Sequence, residues 1–210
     1  MNNIQKKGIL ARSTKEFSMQ EIFFVTGNTG KVKSLERRLD ATRYRITQKD
    51  LDIPEIQANN AREIALFKAN YAYEQLEMPV VVQDSSFHIN ALNGFPGPYI
   101  KYINDTIGPH GLLRLMEGVE DRSCYFEHAL VYVDKDGEVH TFIYGGAPGT
   151  LSAKVYEGNS KESWSDLWKI YISPKYGKPL AALNSEELKE EETSKDDKSE
   201  FTQFIKWLND

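Results

Sequence analysis

The sequence predicts an α/β domain, and three alternations carry that reading. Residues 21–27 form a β-branched and aromatic run that ends in small residues and gives way to a helical pattern over 30–39. A second short strand over 44–48 leads through a loop containing Pro54 to a helix near 61–77, and a third apolar run over 79–82 ends in Asp84. Repeated strand-then-helix order is the pattern of a sheet whose strands bring their C-terminal ends together.

Each element has its own cause. In "GKVKSLERRL" Val32, Leu35 and Leu39 fall on one helical face, and in the second helix Ile64, Ala65, Lys68, Ala69, Ala72 and Leu76 share helical spacing. Asn93-Gly94 and Pro96-Gly97-Pro98 mark a hairpin or tight loop that feeds a helix. Two long strands follow, "CYFEHALVYV" and "EVHTFIYGG", and Asp134-Lys135-Asp136-Gly137 between them signals a hairpin. Residues 184–200 are charge-rich and read as a solvated helix with a mobile loop, while Phe201, Phe204, Ile205 and Leu208 make the last ten residues a docking helix.

With 210 residues the chain is read as one domain of one or two lobes spanning 20–210, preceded by a flexible arm over 1–19. Lys6, Lys7, Arg12 and Ser13 also give that arm a weak transit-peptide look, without an apolar block of signal-peptide length. No window approaches the run of about 18 apolar residues that a membrane span needs. A net charge of -5 argues against a general nucleic-acid surface, so an anionic ligand must be held by a local group of lysines. The single cysteine, Cys124, excludes an internal disulfide framework and fits a reducing, cytoplasmic setting.

The first candidate site is Thr26-Gly27-Asn28-Thr29-Gly30-Lys31. A small-residue turn between strand and helix leaves backbone N–H groups without partners, and these attract phosphate together with the helix dipole and Lys31. The same residues also read as a plain β–α turn with a solvated lysine. They are no Walker A loop, since the glycines are too close together and Val32 stands where the magnesium-binding hydroxyl belongs. Asp84, just after an apolar strand, and Glu55, in the loop before the second helix, are carboxylates of the kind that hold Mg²⁺, although each also reads as a cap or turn residue. His88, His110, His128 and His140 show no zinc spacing, and no G-x-S-x-G elbow occurs. His128 and His140 read as structural residues on strand faces, and Phe67, Tyr71 and Tyr73 as core.

Three blocks together resemble the inosine triphosphate pyrophosphatase (HAM1) family, which removes deaminated purine nucleotides from the precursor pool. The opening T-G-N-x-x-K motif stands at Thr26 to Lys31. An acidic loop followed by E-I-x-x-x-K-A appears in "LDIPEIQANNAREIALFKA", and D-[ST] followed by A-L-x-G-x-P-G in "QDSSFHINALNGFPGPYIKY". "GPHGLLRLMEG" and "EDRSCYFEHALVYV" extend the match, which covers most of 21–151.

The resemblance implies an elongated, two-lobed α/β domain with a central mixed sheet. It implies hydrolysis of nucleoside triphosphates to monophosphate and pyrophosphate, with Mg²⁺ (or Mn²⁺) held by Glu55 and Asp84. Asp84 would activate water, and Lys31, Lys68 and Lys101 would hold the phosphates with Thr26, Asn28 and Ser85. A homodimer is implied too, with no nucleic-acid or membrane partner. The chain departs from the family at Gln83 and Ser34, where relatives commonly carry acids, so base activation would rest on Asp84. The purine-pocket motifs F-G-[WY]-D-P, E-K-N and S-H-R are also altered. "ESWSDLW" offers Trp164 and Asp166, "EELKE" offers Lys189, S-H-R is missing, and the nearest aligned stretch is Asp196-Asp197-Lys198. Base preference is therefore expected to differ.

Overall fold

The computed structural model describes residues 19–146, 149–158, 163, 165–193 and 198–210. Among these residues one mixed sheet holds eight strands, with the path β2-β1-β3-β5-β7-β8 and with β4 paired to β3 and β6 to β5. The strands are β1 Gln20–Val25, β2 Tyr44–Lys49, β3 Val80–Ile89, β4 Pro96–Gly97, β5 Ser123–Val133, β6 Val139–Gly145, β7 Gly149–Leu151 and β8 Tyr171–Ile172. The helices are α1 Thr29–Glu36, α2 Ala61–Leu76, α3 Ile100–Thr106, α4 Gly108–Leu115, α5 Ser185–Thr193 and α6 Glu200–Asn209. The arm expected over 1–19 lies, except for Met19, outside the described residues. The loop expected inside 184–200 falls largely outside them too.

β1, β2 and the start of β3 are parallel, and the rest of the sheet is antiparallel. The expected hairpins form at Asp134 to Gly137 and between β3 and β4. α2 begins with a reciprocal cap, in which Asn60 Oδ1 accepts from Glu63 N at 2.9 Å and Asn60 Nδ2 donates to Glu63 Oε1 at 2.8 Å. Its buried stripe is Ala61, Ala65, Ala69 and Ala72, small enough to lay the helix directly on Val80, Val82, Ala129, Val131 and Val133. Replacing Ala69 by leucine would overpack that contact, at about 1–3 kcal/mol. On the other face of the sheet Ile22, Phe24, Val81, Leu130 and Tyr132 meet Val32 and Leu35 of α1 and Phe201 and Phe204 of α6. Full burial of each such side chain contributes about 1.5–3 kcal/mol.

A separate core forms at the far end, from Phe87, Ile89, Leu112, Phe126, Leu167 and Trp168 with α3, α4 and the 3₁₀ turn Asp166–Lys169. β3 and β5 are long enough to run through both cores, pairing continuously from Val80↔Val133 to Ile89↔Cys124. This corrects one expectation. Asp84 stands in the middle of a ten-residue strand, not at its end. The polar stretch Gln83-Asp84-Ser85-Ser86 stays extended because β5 supplies its ladder bonds. It is polar because it lies between the two cores: β1 pairs with β3 only at Val80 and Val81, so the strand emerges past the parallel end of the sheet. Of the three aromatics expected in the core, Tyr73 packs against the α2 cluster, while Phe67 and Tyr71 are half-buried and stack on each other.

Candidate active site

The space where β3 leaves the parallel strands is a cleft of about 1030 Å³. The loops after β1 and β2 open into it, as expected at the C-terminal ends of parallel strands. Thr26 Oγ1 accepts from Asn28 N at 3.1 Å, and Asn28 Oδ1 caps α1 by accepting from Gly30 N at 2.9 Å and Lys31 N at 3.4 Å. Gln48 Nε2 holds the Thr26 carbonyl at 2.8 Å, tying the turn to β2. Thr26, Gly27, Asn28 and Lys31 line the cleft, whereas Thr29 and Gly30 serve as the first helical turn behind it.

Lys31 Nζ donates to the Gln83 carbonyl at 2.9 Å. Burial pushes its pKa down; the carboxylates of Asp84 and Glu200 oppose that and the ammonium of Lys68 adds to it. Lys68, one face of α2, donates to Asp84 Oδ2 at 2.8 Å, with both side chains about one-fifth exposed. Asp84 Oδ1 accepts from Ser85 N at 2.9 Å, and Ser85 Oγ lies 2.8 Å from His128 Nδ1. Glu55 and Lys101 are exposed and 3.9 Å apart across the mouth, a contact worth about 0–1 kcal/mol in water. The residues expected to gather, Lys31, Glu55, Lys68, Asp84, Ser85 and Lys101, therefore line one space. Asp166 joins them from the far side, paired with Lys169 at 2.8 Å. Lys189, on α5, is exposed and is not among the lining residues. Trp164, Asp196 and Asp197 lie outside the described residues.

Sequence reasoning passed over several groups. Asp50, Asp52, Asn104, Asp105 and Lys169 also line the cleft. The acid spacing Asp50-x-Asp52-x-x-Glu55 at a strand end was the one available signal for the first two. His128, read as structural, instead touches a cleft residue. Glu200 reaches from α6 to Gln83, whose Nε2 donates to Glu200 Oε1; nothing local marks that pair.

Among the described residues four lysines line the cleft (31, 68, 101 and 169) against six carboxylates (50, 52, 55, 84, 105 and 166). The excess of negative charge would oppose a bare polyphosphate, so the wall suits a polyphosphate that carries a divalent cation. Among the described residues no group of three or more acidic, histidine or cysteine side chains forms a ready cage.

Cations on a helix start and on α2, with oxygen donors between them, share one cleft at the parallel end of an α/β sheet. Residues 22–195 match the Ham1 family, and the chain belongs to it. Among its relatives are the dITP/XTP pyrophosphatases of Methanopyrus kandleri, 36% identical over 80% of this chain and 86% of that protein, and of Methanosarcina acetivorans, 39% identical over 65% and 72%. In fold it is similar to the Staphylococcus aureus Ham1 protein (24% identity, TM-score 0.67, covering 80% of this chain and 88% of that one). It is similar also to a HAM1 protein from Coxiella burnetii (19% identity, TM-score 0.66, 90% and 96%).

Proposed function

We propose that this chain hydrolyses non-standard purine nucleoside triphosphates, of the dITP and XTP kind, to the monophosphate and pyrophosphate in a Mg²⁺-dependent reaction. The observation that carries the reading is the gathering of Lys31, Lys68 and Lys101 with Glu55 and Asp84 in one cleft. Relatives named dITP/XTP pyrophosphatase support the substrate class.

The reaction adds water to the α-phosphorus and breaks its bond to the bridging oxygen, so that pyrophosphate leaves with the electron pair. Ammonium groups offset the charge that repels the nucleophile and that grows on the leaving oxygens. Lys31, fixed by the Asn28 cap and the Gln83 carbonyl, meets the chain beside the N-terminus of α1, where the helix dipole favours negative charge. Lys101, at the mouth, reaches the outer phosphates. Asp84 holds the attacking water and accepts its proton, and Lys68 at 2.8 Å keeps that carboxylate oriented. Glu55 and Asp84 would hold Mg²⁺, which supplies Lewis-acid polarisation of the phosphoryl oxygens. Ser85 adds a hydroxyl whose direction His128 sets.

Pyrophosphate release from ITP, XTP, dITP, ATP and dUTP, with Mg²⁺ and again after chelation, tests this. The expected result is turnover that needs the metal and favours the deaminated purines; equal rates for ATP and ITP would remove the substrate class. A second reading, nucleotide binding with little turnover, is favoured by Gln83, which leaves Asp84 without an acidic neighbour in sequence. Tight ITP binding without pyrophosphate release would establish it.

A further inference from the structure

Of the four lysines that line the cleft among the described residues, Lys31, Lys68 and Lys101 have a place in the proposed reaction and Lys169 has none. Lys169 belongs to the 3₁₀ turn Asp166–Lys169 on the opposite wall. Packing fixes where that turn stands. Leu167 is fully buried, and buried Trp168 forms part of the wall of a smaller inner cavity of about 110 Å³ beside the cleft. Ser165 caps the turn by accepting from Leu167 N at 3.3 Å, and Ser163 Oγ donates to the Ser165 carbonyl at 2.9 Å. From outside the turn, Tyr156 N donates to the Lys169 carbonyl at 3.0 Å.

The charged side chains of Asp166 and Lys169 add little to this arrangement. They pair at 2.8 Å with 53% and 38% of their side chains exposed, and so exposed an ion pair contributes little to folding. The pair repeats a form that the cleft shows twice elsewhere, in Lys68 with Asp84 and in Lys101 with Glu55. In each, an ammonium faces the shared space with a carboxylate beside it. An ammonium carries three N–H donors, so Lys169 can meet an anion in the cleft while one donor stays with Asp166.

We propose that Lys169 is a further substrate-binding residue, which donates to phosphate oxygens from the far wall, and that Asp166 competes with the phosphates for that ammonium. The inference rests on the triphosphate-hydrolase reading and adds a contact to it. Lys31 and Lys68 hold the phosphate chain at the parallel end of the sheet, and Lys169 holds it from the far lobe, so the bound chain bridges the two cores. The contact involves neither base nor sugar. A phosphate chain alone therefore feels it.

Calorimetric titration of the full chain with inorganic tripolyphosphate in Mg²⁺ reads the contact without a nucleoside. Lys169→Met is expected to weaken binding about tenfold, the effect of one charge-assisted hydrogen bond. Asp166→Asn keeps the shape of its side chain and removes the competing charge, so binding should tighten about two- to fivefold. Lys33, exposed on α1 and outside the cleft lining, serves as the control for net charge, and Lys33→Met should leave the affinity nearly unchanged. Thermal unfolding checks that each variant is folded, and Lys169→Gln replaces the methionine variant if that one is not. Weaker binding in the Lys169 variant, with Asp166→Asn at or above wild-type affinity, supports the contact. An unmoved affinity in the Lys169 variant, an equal loss in Lys33→Met, a loss in Asp166→Asn, or a wild type that ignores tripolyphosphate overturns it. Pyrophosphate release from ITP, followed alongside, separates the two readings. Turnover of ITP with an unmoved Lys169 variant would sink this inference alone. Opposite shifts in the two far-wall variants without any turnover of ITP would sink the hydrolase reading and leave the phosphate contact standing.

Discussion

On the near wall of the cleft, Thr26, Asn28 and Lys31 come from a single strand–turn–helix, and Lys68 sits on the helix that covers β3. On the far wall, Asp166 and Lys169 belong to a 3₁₀ turn, and the inner cavity beyond draws on β5, β6, α5 and α6. In the near wall the turn itself is set by bonds spanning two or three residues, such as the Asn28 cap, and polar ties from Gln48, Gln83 and Asp84 hold it to the sheet. The far side is fixed by packing between distant segments, as where the Tyr171 ring covers Gly149. The first arrangement separates chemistry from stability, since its polar groups can change without opening a core. The second does not.

Three substitutions sharpen that contrast, taken from the largest expected effect to the smallest. Asp84→Asn keeps the shape of the side chain but removes its charge, and pyrophosphate release from ITP should fall about 10³-fold. Its unfolding midpoint should stay near that of wild type; a large loss of stability would place Asp84 in the fold and not in the chemistry.

Gly149→Ala acts on the far lobe. A Cβ there would run into the ring of buried Tyr171, which β7 and β8 hold in place. Overpacking of this kind costs about 1–3 kcal/mol, measurable by urea unfolding. Unchanged stability would mean that the far lobe yields more easily than its packing suggests.

Asp134→Ala lies outside both walls, at the β5–β6 turn. Burial alone would raise the pKa of Asp134, but the His140 ring at 3.1 Å and the backbone N–H groups of Glu138 and Asp136 outweigh it and hold the carboxyl below its usual value. A carboxyl lowered by folding stabilises the native state above its unfolded pKa of about 3.9 and loses that effect as pH falls through the lowered value. The variant should be about 1 kcal/mol less stable near neutral pH. The gap should close below about pH 4. A gap that persists in acid would assign the loss to the turn itself.

Legibility in the sequence followed the range of the interactions. The apolar periodicity of α1, α2 and α6 and the hairpin between β5 and β6 could be read directly, because each is a property of its own segment. Lys31, Glu55, Lys68 and Lys101 could be named from residue type and motif. Asp84 was placed at a strand end because the apolar run over 79–82 stops just before it; only the continuous pairing with β5 keeps the polar residues that follow extended. The altered C-terminal third gave little, since its motifs are dispersed and its partners are remote.

By itself the sequence determined the parallel strand–helix units and the set of cations and carboxylates, since caps, turns and amphipathic faces are decided within a few residues. Tertiary structure alone decided that β3 should run through two cores, that the cleft should open at its polar middle, and that Glu200 should meet Gln83. Those depend on which surfaces find each other once apolar faces are buried, and a contact between residues 117 apart leaves no trace in either neighbourhood.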